Sequence, residues 1–356
     1  MRNIPDPLII DDGYFKPCNL NCSYCRNSSS IYRSGKYYDD FRGIRWNQTQ
    51  NLNYLQILKK IQKNSNYGAY KISGHGEITL LKNFHLFFGV DKLNILLTNG
   101  TILNKNSVKQ LKDFQLIVQI SLDGHTSSMN QARKTNPKKI LELISEFLKN
   151  EIPVEVNTVI TKYNINGLEE FFRFLDKFDS ELLMCIPFPV RNFSNMKNKN
   201  LCPDLKQMEK FRKSIKEWNF FNSAPPRKYL KYMIETLEKG RKINCFLPRM
   251  ILAWNYNLDI LKCPCGLAES YNNLKIIMEH NINTEQMSLE NEKNPLRVIN
   301  ESNYHHHCKN CFTHYDILNL FIKGKIDLKE LERLPTYKNK ELIVLIKKWK
   351  IYFKGD

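Results

Sequence analysis

Short apolar segments alternate with stretches of helical periodicity through the first half of the chain. The pattern predicts six strands, near residues 8–15, 69–73, 93–98, 115–121, 153–161 and 181–187. Between them it predicts helices near residues 47–63, 82–88, 104–112, 137–149 and 166–177. Strands that alternate with helices in this way indicate a parallel α/β sheet with right-handed crossovers, whose sites lie at the carboxyl ends of the strands.

Polar clusters follow directly after several of these predicted strands. They are Ser73–Leu80 after the second strand, Thr98–Gly100 after the third, Ser121–Gly124 after the fourth and Asn157 within the fifth. Because the carboxyl ends of parallel strands meet at one edge of a sheet, we expect these groups to line one mouth.

The second half of the chain breaks this alternation. Two helices are predicted near 203–220 and 226–240, a hairpin around an Asn-Tyr-Asn-Leu-Asp turn, and three helices near 315–323, 327–332 and 339–353. We expect a main α/β unit over 1–188, a helical bridge over 189–240, a small cysteine-rich α+β domain over 241–325 and terminal helices over 326–356. The terminal helices either cap the small domain or return to the main sheet.

Composition indicates a globular protein from a reducing compartment. The 356 residues are 42% apolar, which is enough for a large core and a smaller one. The chain has no apolar run of about 18 residues and no signal-peptide pattern, so we expect a soluble, cytoplasmic protein without a membrane partner. The ten cysteines cluster mostly as C-x3-C-x2-C, C-x-C and C-x2-C, which is typical of metal or cluster binding and not of a disulfide framework.

The formal net charge is +18, from 54 Lys and Arg against 36 Asp and Glu. Such a charge favours anionic partners, including nucleic acid, an acidic peptide or a phosphorylated metabolite. Much of the excess is Lys scattered through Asn-rich and Ile-rich segments, a pattern also typical of biased composition on solvated faces. Charge therefore does not select a substrate.

Three cysteines at Cys18, Cys22 and Cys25 form the most informative motif, with Tyr24 just before the last of them. A tetrahedral zinc site needs a fourth ligand close by, and a cubane iron-sulfur cluster normally takes four thiolates. With three thiolates, one iron keeps an open position for a small molecule. A structural zinc site, or a disulfide with one leftover thiol, is the alternative.

This C-x3-C-x2-C pattern resembles the signature of the radical S-adenosylmethionine (SAM) superfamily. The resemblance implies a partial (β/α)6 TIM-like barrel over the first 188 residues and a [4Fe–4S] cluster on Cys18, Cys22 and Cys25. It further implies that SAM chelates the open iron and is cleaved by one electron to methionine and a 5′-deoxyadenosyl radical. A reductant such as flavodoxin or ferredoxin would supply that electron.

The resemblance also assigns SAM contacts. His75-Gly76-Glu77-Ile78 resembles the family's Gly-Gly-Glu-Pro motif, with Gly76 and Glu77 matching and the other two departing. A buried ammonium group needs carboxylate and carbonyl acceptors, so Gly76 and Glu77 are expected beside the SAM amino group. The remaining expected cofactor residues are Tyr24, Asn99 beneath the ribose, Ser121 and Arg133 at the carboxylate, and Asn157 at a ribose hydroxyl. Each residue alone fits an ordinary turn or cap, whereas their order supports the assignment.

A second cysteine set follows the bridge. Cys245, Cys263, Cys308 and Cys311 supply four thiolates that can surround one cluster, and Cys265 is a fifth. The spacing resembles the twitch domain of radical SAM enzymes, which implies an auxiliary [4Fe–4S] cluster. The fuller SPASM version uses about seven cysteines, so we expect one auxiliary cluster, with either Cys263 or Cys265 as a ligand. A zinc site is the alternative.

The SPASM/twitch resemblance implies hydrogen abstraction from a peptide or protein, leading to crosslinking, epimerisation or oxidation. The alternatives are dehydrogenation of a sugar or aminocyclitol-type metabolite, an RNA-modifying radical enzyme and a non-catalytic zinc scaffold. The charge favours the RNA reading, but no appended RNA-binding module is evident. Because 17 residues precede Cys18, we expect any leader-peptide-binding protein to be a separate chain.

Overall fold

The structure is a computed structural model that describes residues 4–13, 15, 17–25, 48–73, 76–81, 83–89, 91–190, 199–218, 221–254, 259–261, 270–273 and 311–355. Its strands are β1 Ile9–Asp12, β2 Ala69–Ile72, β3 Leu93–Thr98, β4 Leu116–Ser121, β5 Val154–Ile160, β6 Leu183–Pro189, β7 Ile251–Trp254, β8 Asp259–Leu261 and β9 Ser270–Asn273. They form one sheet in the order β6-β5-β4-β3-β2-β1-β7-β8-β9. The strands from β6 to β7 in this order are parallel, and β8 and β9 add antiparallel.

The helices begin and end close to the predicted positions, except that the short helix at Leu247–Met250 was not predicted. They are α1 Gln48–Asn64, α2 Lys105–Leu111, α3 Pro137–Lys149, α4 Leu168–Asp176, α5 Leu205–Glu217, α6 Arg227–Lys239, α7 Leu247–Met250, α8 Asp316–Ile322, α9 Leu328–Leu331 and α10 Lys340–Tyr352. Asn136 caps α3 by accepting from the backbone N–H of Lys138, and Pro137 occupies the first turn, where a missing N–H costs nothing. The helix predicted near 82–88 is instead a 3-10 turn at Phe84–Phe87, where the Asn83 side chain makes no capping hydrogen bond.

Different parts of the chain cover the two faces of the sheet. Alternate residues of a strand point to opposite faces, and Asp12 of β1 accepts a hydrogen bond from Tyr54 of α1 at 2.6 Å. The neighbouring Asp11 reaches the opposite face, where it accepts from the hydroxyl of Tyr315 at 3.3 Å. We call the face that carries Asp11 the inner face. It is covered by residues that follow Cys311.

The C-terminal helices return to the main sheet, which settles the choice that the pattern left open. Trp349 of α10 donates from its indole nitrogen to the carbonyl of Asp6 at 2.9 Å, just before β1. On the inner face, Glu155 of β5 accepts from the backbone N–H of Thr336 at 2.7 Å. These contacts join both ends of the described chain to one core.

The β7–β8 hairpin is an extension of the barrel sheet. Ile251 pairs in parallel with Ile9 of β1, so β7 is a seventh parallel strand that the alternation did not predict. The predicted boundaries at 188, 240 and 325 stay predictions. Within the described residues, no helix has both the length and the apolar character needed to cross a lipid bilayer.

Candidate cluster and cofactor site

The three cysteines of the N-terminal motif lie in the loop that follows β1, at the carboxyl edge of the sheet. Cys22 is buried, whereas Cys18 and Cys25 are half-buried. A turn closes the loop, since the backbone N–H of Cys25 donates to the carbonyl of Cys22 at 3.0 Å. The structure therefore places the three predicted ligands in one loop at the carboxyl edge of the sheet, and their role as ligands stays a prediction.

The electrostatics of the loop suit a bound cation. Burial raises the pKa of Cys18 to about 11, and the nearby negative charges of Glu77 and Cys25 add to this rise. Burial raises the pKa of Cys22 to about 12, where Cys25, Asp123 and Cys18 add to the rise. Metal ligation requires thiolates, so these groups gain most from a positively charged centre that offsets their burial. Across the described segments, no group of three Cys, His, Asp or Glu side chains is arranged to hold a metal ion as it stands. The donor set fits an iron-sulfur cluster by its chemistry.

The cysteine loop is docked onto the turn that follows β4. The backbone N–H of Ser23 donates to the carbonyl of Ala132 at 2.8 Å, and the Cys22 thiol lies 3.5 Å from the carbonyl of Arg133. Tyr24 donates to the Asp123 carboxylate at 2.5 Å. Backbone and side-chain contacts thus fix the loop against residues 123–133.

Arg133 and Asp123 form a buried ion pair behind the loop. The guanidinium donates to the carboxylate at 2.8 Å and lies over the Tyr24 ring, 5.5 Å from its centroid. Burial alone would lower the pKa of Arg133, but the adjacent Asp123 carboxylate raises it above the ordinary value. Asp123 therefore offsets the charge that was expected to meet the SAM carboxylate. The contact between Arg133 and the SAM carboxylate stays a prediction. The Nε atom of Arg133 has no hydrogen-bond partner among the described residues.

Glu77 is buried beside the loop with both carboxylate oxygens occupied. One oxygen accepts from the hydroxyls of Thr79 at 2.6 Å and Thr98 at 2.7 Å, and the other accepts from the backbone N–H of Asn99 at 2.6 Å. Burial raises the pKa of Glu77, although these donors act against the rise. Its own backbone N–H donates to Pro17 at 2.5 Å. The Glu77 side chain thus joins the turns after β2 and β3, and its predicted contact with SAM remains a prediction.

Asn99 links the turn after β3 to the cysteine loop. Its side-chain amide donates to Asn19 at 2.9 Å and lies 3.9 Å from the Cys18 sulfur. Asn19 in turn donates to the Thr101 hydroxyl at 2.8 Å. The next residue, Gly100, has a φ of +73°, which favours glycine because a side chain is strained there. Sequence reasoning found Asn99 but gave no signal for Asn19 or Thr101.

Asn157 and Ser121 are register partners on β5 and β4, one strand apart on the inner face. Ser121 is half-buried, and Asn157 is 4% exposed. The Asn157 side-chain oxygen has no hydrogen-bond partner among the described residues. A buried acceptor without a donor is rare in folded proteins, so this oxygen fits a donor from a ligand, such as a ribose hydroxyl. The predicted ribose contact stays a prediction that this observation supports.

Sequence reasoning missed Asp123, although it singled out the segment Ser121–Gly124. The backbone around Asp123 is held by two buried asparagines: its N–H donates to Asn130 at 3.0 Å, and its carbonyl accepts from Asn164 at 2.8 Å. A carboxylate directly after a buried strand was the available signal. Its meaning depends on Arg133, which only the fold brings beside it.

The second cysteine set is partly described. The fold brings Cys245 and Cys311 into one neighbourhood, because the buried Arg241 interacts electrostatically with both. Cys263, Cys265 and Cys308 lie outside the described residues, as does His75 of the motif after β2. Gly76 is described and precedes the buried Glu77. Two further cysteines, Cys185 and Cys202, belong to neither set, and Cys185 is a buried residue of β6.

Known proteins resemble this chain in sequence and fold. Residues 15–175 match the family model of the Radical SAM superfamily. A cysteine-type anaerobic sulfatase-maturating enzyme from Clostridium perfringens is 24% identical over 252 residues, which cover 64% of this chain and 65% of that protein. The chain spans about half to two thirds of the length of the clostridial maturases that it matches.

Two solved structures share the fold. The structure of anSMEcpe with bound AdoMet and Cp18Cys peptide superposes with a TM-score of 0.52 at 17% identity, covering 96% of this chain and 99% of that one. SuiB from Streptococcus suis, bound to precursor peptide SuiA, superposes with a TM-score of 0.55 at 14% identity, covering 86% and 71%. The family match over residues 15–175 agrees with the fold and with the position of the cysteine loop, and this part of the chain is a Radical SAM domain.

Proposed function

We propose that this protein is a radical SAM enzyme that removes a hydrogen atom from a carbon of a peptide or protein substrate. The observation that carries the proposal is the position of Cys18, Cys22 and Cys25 in one loop at the carboxyl edge of a parallel sheet. A second set of thiols, which includes Cys245 and Cys311, would hold an auxiliary cluster.

Cys18, Cys22 and Cys25 would hold the [4Fe–4S] cluster, which together with SAM would supply the 5′-deoxyadenosyl radical needed for hydrogen abstraction. The chain's own residues orient and shield these groups. The Glu77 carboxylate joins the turns after β2 and β3, and Asp123 ties the loop to the turn after β4. Asn157 offers a buried hydrogen-bond acceptor and is paired with Ser121 on the adjacent strand. These contacts hold the cysteine loop and the turns after the strands in fixed positions relative to one another.

A peptide substrate is supported by the names of the relatives. The clostridial relatives are sulfatase-maturating enzymes, and SuiB was solved with its precursor peptide. The net charge of +18 suits an acidic segment of a peptide. The proposed outcomes are crosslinking, epimerisation or oxidation of the peptide. We propose a cytoplasmic location, a flavodoxin or ferredoxin reductant and, for a leader-bearing substrate, a separate leader-binding protein.

The decisive experiment is anaerobic reconstitution followed by reduction with dithionite in the presence of SAM. We expect 5′-deoxyadenosine and methionine from the wild-type protein, and about eight irons per chain if both clusters form or about four if one forms. Cys22→Ala should abolish cleavage. Cys202→Ala is the matched control, because this half-buried cysteine belongs to neither predicted set.

Stoichiometric zinc without sulfide, or equal cleavage by wild type and Cys22→Ala, would overturn the proposed function. The substrate class is tested separately with deuterated candidates. Deuterium transfer from a peptide into 5′-deoxyadenosine supports the peptide reading. Transfer only from an aminocyclitol, or only from RNA, contradicts it and leaves the radical chemistry standing.

A further inference from the structure

A buried polar network joins Cys245 to Cys311, which are far apart in the sequence. Arg241 donates from Nη2 to the backbone carbonyl of Cys311 at 2.7 Å, and it holds Asp316 with both terminal nitrogens, at 2.6 Å and 2.9 Å. Asn319 donates to the same carboxylate at 2.9 Å and lies 3.8 Å from the Cys245 sulfur. The two cysteines are therefore positioned by one guanidinium and its partners.

The far end of the network is fixed to the backbone of the other cysteine segment. The Asn319 side-chain oxygen accepts from the N–H of Phe246, next to Cys245, at 2.9 Å. The Asp316 carboxylate accepts from the N–H of Thr313, two residues after Cys311, at 2.7 Å. Both cysteine-bearing segments are thus tied to α8. This tether leaves little freedom in the spacing of the two thiols.

The ion pair in this network is fully buried. The side chains of Arg241 and Asp316 are 1% and 0% exposed. Removing two charges from water is costly, so a buried ion pair is weak evidence for a role in stability alone. The Arg241 charge also acts on both thiols, and its Nε–H is buried without a hydrogen-bond partner among the described residues. A sulfur of a bound centre would be a suitable acceptor for this donor.

We propose that Arg241 is the positioning and tuning residue of the auxiliary centre that Cys245 and Cys311 help to hold. Its guanidinium offsets the negative charge of the thiolates, and its Nε–H is a donor for a sulfur of the centre. Asp316 moderates that charge and keeps the guanidinium oriented. The inference rests on the second cluster of the proposed function, but not on SAM cleavage.

The charges predict opposite effects of two variants. A cluster held by four thiolates is anionic and becomes more negative on reduction, so a buried cation beside it favours the reduced form and raises the reduction potential. Arg241→Gln removes the cation and leaves Asp316 uncompensated, which should lower the potential. Asp316→Asn leaves the cation uncompensated, which should raise it. If Arg241 and Asp316 only filled space, the two substitutions would not shift the reduction potential in opposite directions.

The test uses the full chain with Cys18, Cys22 and Cys25 replaced by Ala, so that any remaining cluster is the auxiliary one. This parent is reconstituted anaerobically with ferrous iron and sulfide, and its midpoint potential is measured by redox titration followed by electron paramagnetic resonance. We expect about four irons per chain in the parent. Arg241→Lys keeps the charge but loses Nε, so its potential should fall less than that of Arg241→Gln. The control is Lys242→Gln, which removes the same charge from an exposed neighbour and should leave the potential unchanged.

Opposite shifts in Arg241→Gln and Asp316→Asn, with no shift in Lys242→Gln, would support the proposal. Equal potentials in parent and variants would overturn it. If Arg241→Gln fails to hold iron, Arg241→Lys and Asp316→Asn still test the proposal. An unchanged midpoint potential in both of these variants would contradict a role of Arg241 in setting the potential of the cluster. A parent that binds zinc, or no metal, also overturns it. In that event the wild-type chain can still cleave SAM, which separates this failure from failure of the proposed function.

Discussion

Tyr24 donates a hydrogen bond to Asp123 across 2.5 Å and so fastens the cysteine loop to the turn after β4. The other oxygen of Asp123 is held by Arg133 at 2.8 Å and by the backbone N–H of Val159 at 3.0 Å. Tyr24 directly precedes the last cysteine of the motif, and its hydroxyl has a definite structural role here. Three segments meet at one carboxylate, which positions the cluster ligands relative to β4 and β5.

Tyr24→Phe should weaken this junction while keeping the ring that packs under Arg133. The variant leaves one oxygen of a buried carboxylate without its donor, so we expect a loss of about 1–3 kcal/mol in the free energy of unfolding. The docked loop should also release iron faster. Urea denaturation and the rate of iron loss to a chelator, both measured anaerobically, check the two effects. Tyr163→Phe, a half-buried tyrosine outside the loop, is the control, and equal behaviour of the two variants would contradict the assignment.

Glu77 gives a prediction about pH. Burial raises the pKa of this carboxyl above its ordinary value of 4.5 in the folded state. The folded protein therefore holds this proton more tightly than the unfolded chain, and the resulting stability is complete below about pH 4.5 and is lost as the pH rises through the raised pKa. Glu77→Gln cannot titrate. The free energy of unfolding of wild type should fall relative to that of the variant as the pH rises from 4.5 toward neutrality, and parallel pH curves would rule out a raised pKa.

Gly100 offers a test of how tightly the turn after β3 is packed. Its φ is +73°, and a Cβ there would lie 2.9 Å from Ile120 and 3.2 Å from Ile140 and Leu143. Gly324 has a similar φ of +66° but no atom within 4 Å of an added Cβ. Gly324→Ala should therefore cost only the left-handed conformation, about 1–2 kcal/mol. Gly100→Ala should cost about 1–3 kcal/mol more because of overpacking. Thermal unfolding measures both, and equal losses would show that the turn relaxes.

Local patterns predicted the elements of this fold well, because their signals are local. Strand β3 and helix α3 match their predicted bounds, and Asn136-Pro137 is a recognisable helix start. The place of β7 was not predictable in the same way. Its apolar run indicates a strand, but nothing in residues 251–254 says that the partner is β1 rather than a strand of a separate domain. Pairing between residues so distant in sequence depends on the whole fold.

The same limit applies to the site. The cysteine spacing and the polar residues after the strands identified Cys18, Asn99 and Asn157, because these residue types stand out at strand ends. The use of each side chain was less predictable. Arg133 was expected to face SAM, yet its charge is offset by Asp123. Arg241 carried no motif at all, and its position between two cysteine segments exists only in the folded chain.

Asn157 provides the most direct test of SAM binding by this chain. Its side-chain oxygen is buried with no partner among the described residues, so a ligand hydroxyl would complete its hydrogen bonding. Among the described residues, Asn157→Ala removes no hydrogen bond made by that oxygen. We therefore expect the substitution to weaken SAM binding by about 1–2 kcal/mol, which raises the Kd for SAM about 5- to 30-fold. Asn94→Ala is the control, because Asn94 is fully buried and paired with the backbone of Gly89 at 2.8 Å and 2.9 Å. The control should lose stability and keep its SAM affinity. Calorimetric titration of the anaerobically reconstituted proteins measures the Kd, and an unchanged value in Asn157→Ala would show that its oxygen does not contact SAM.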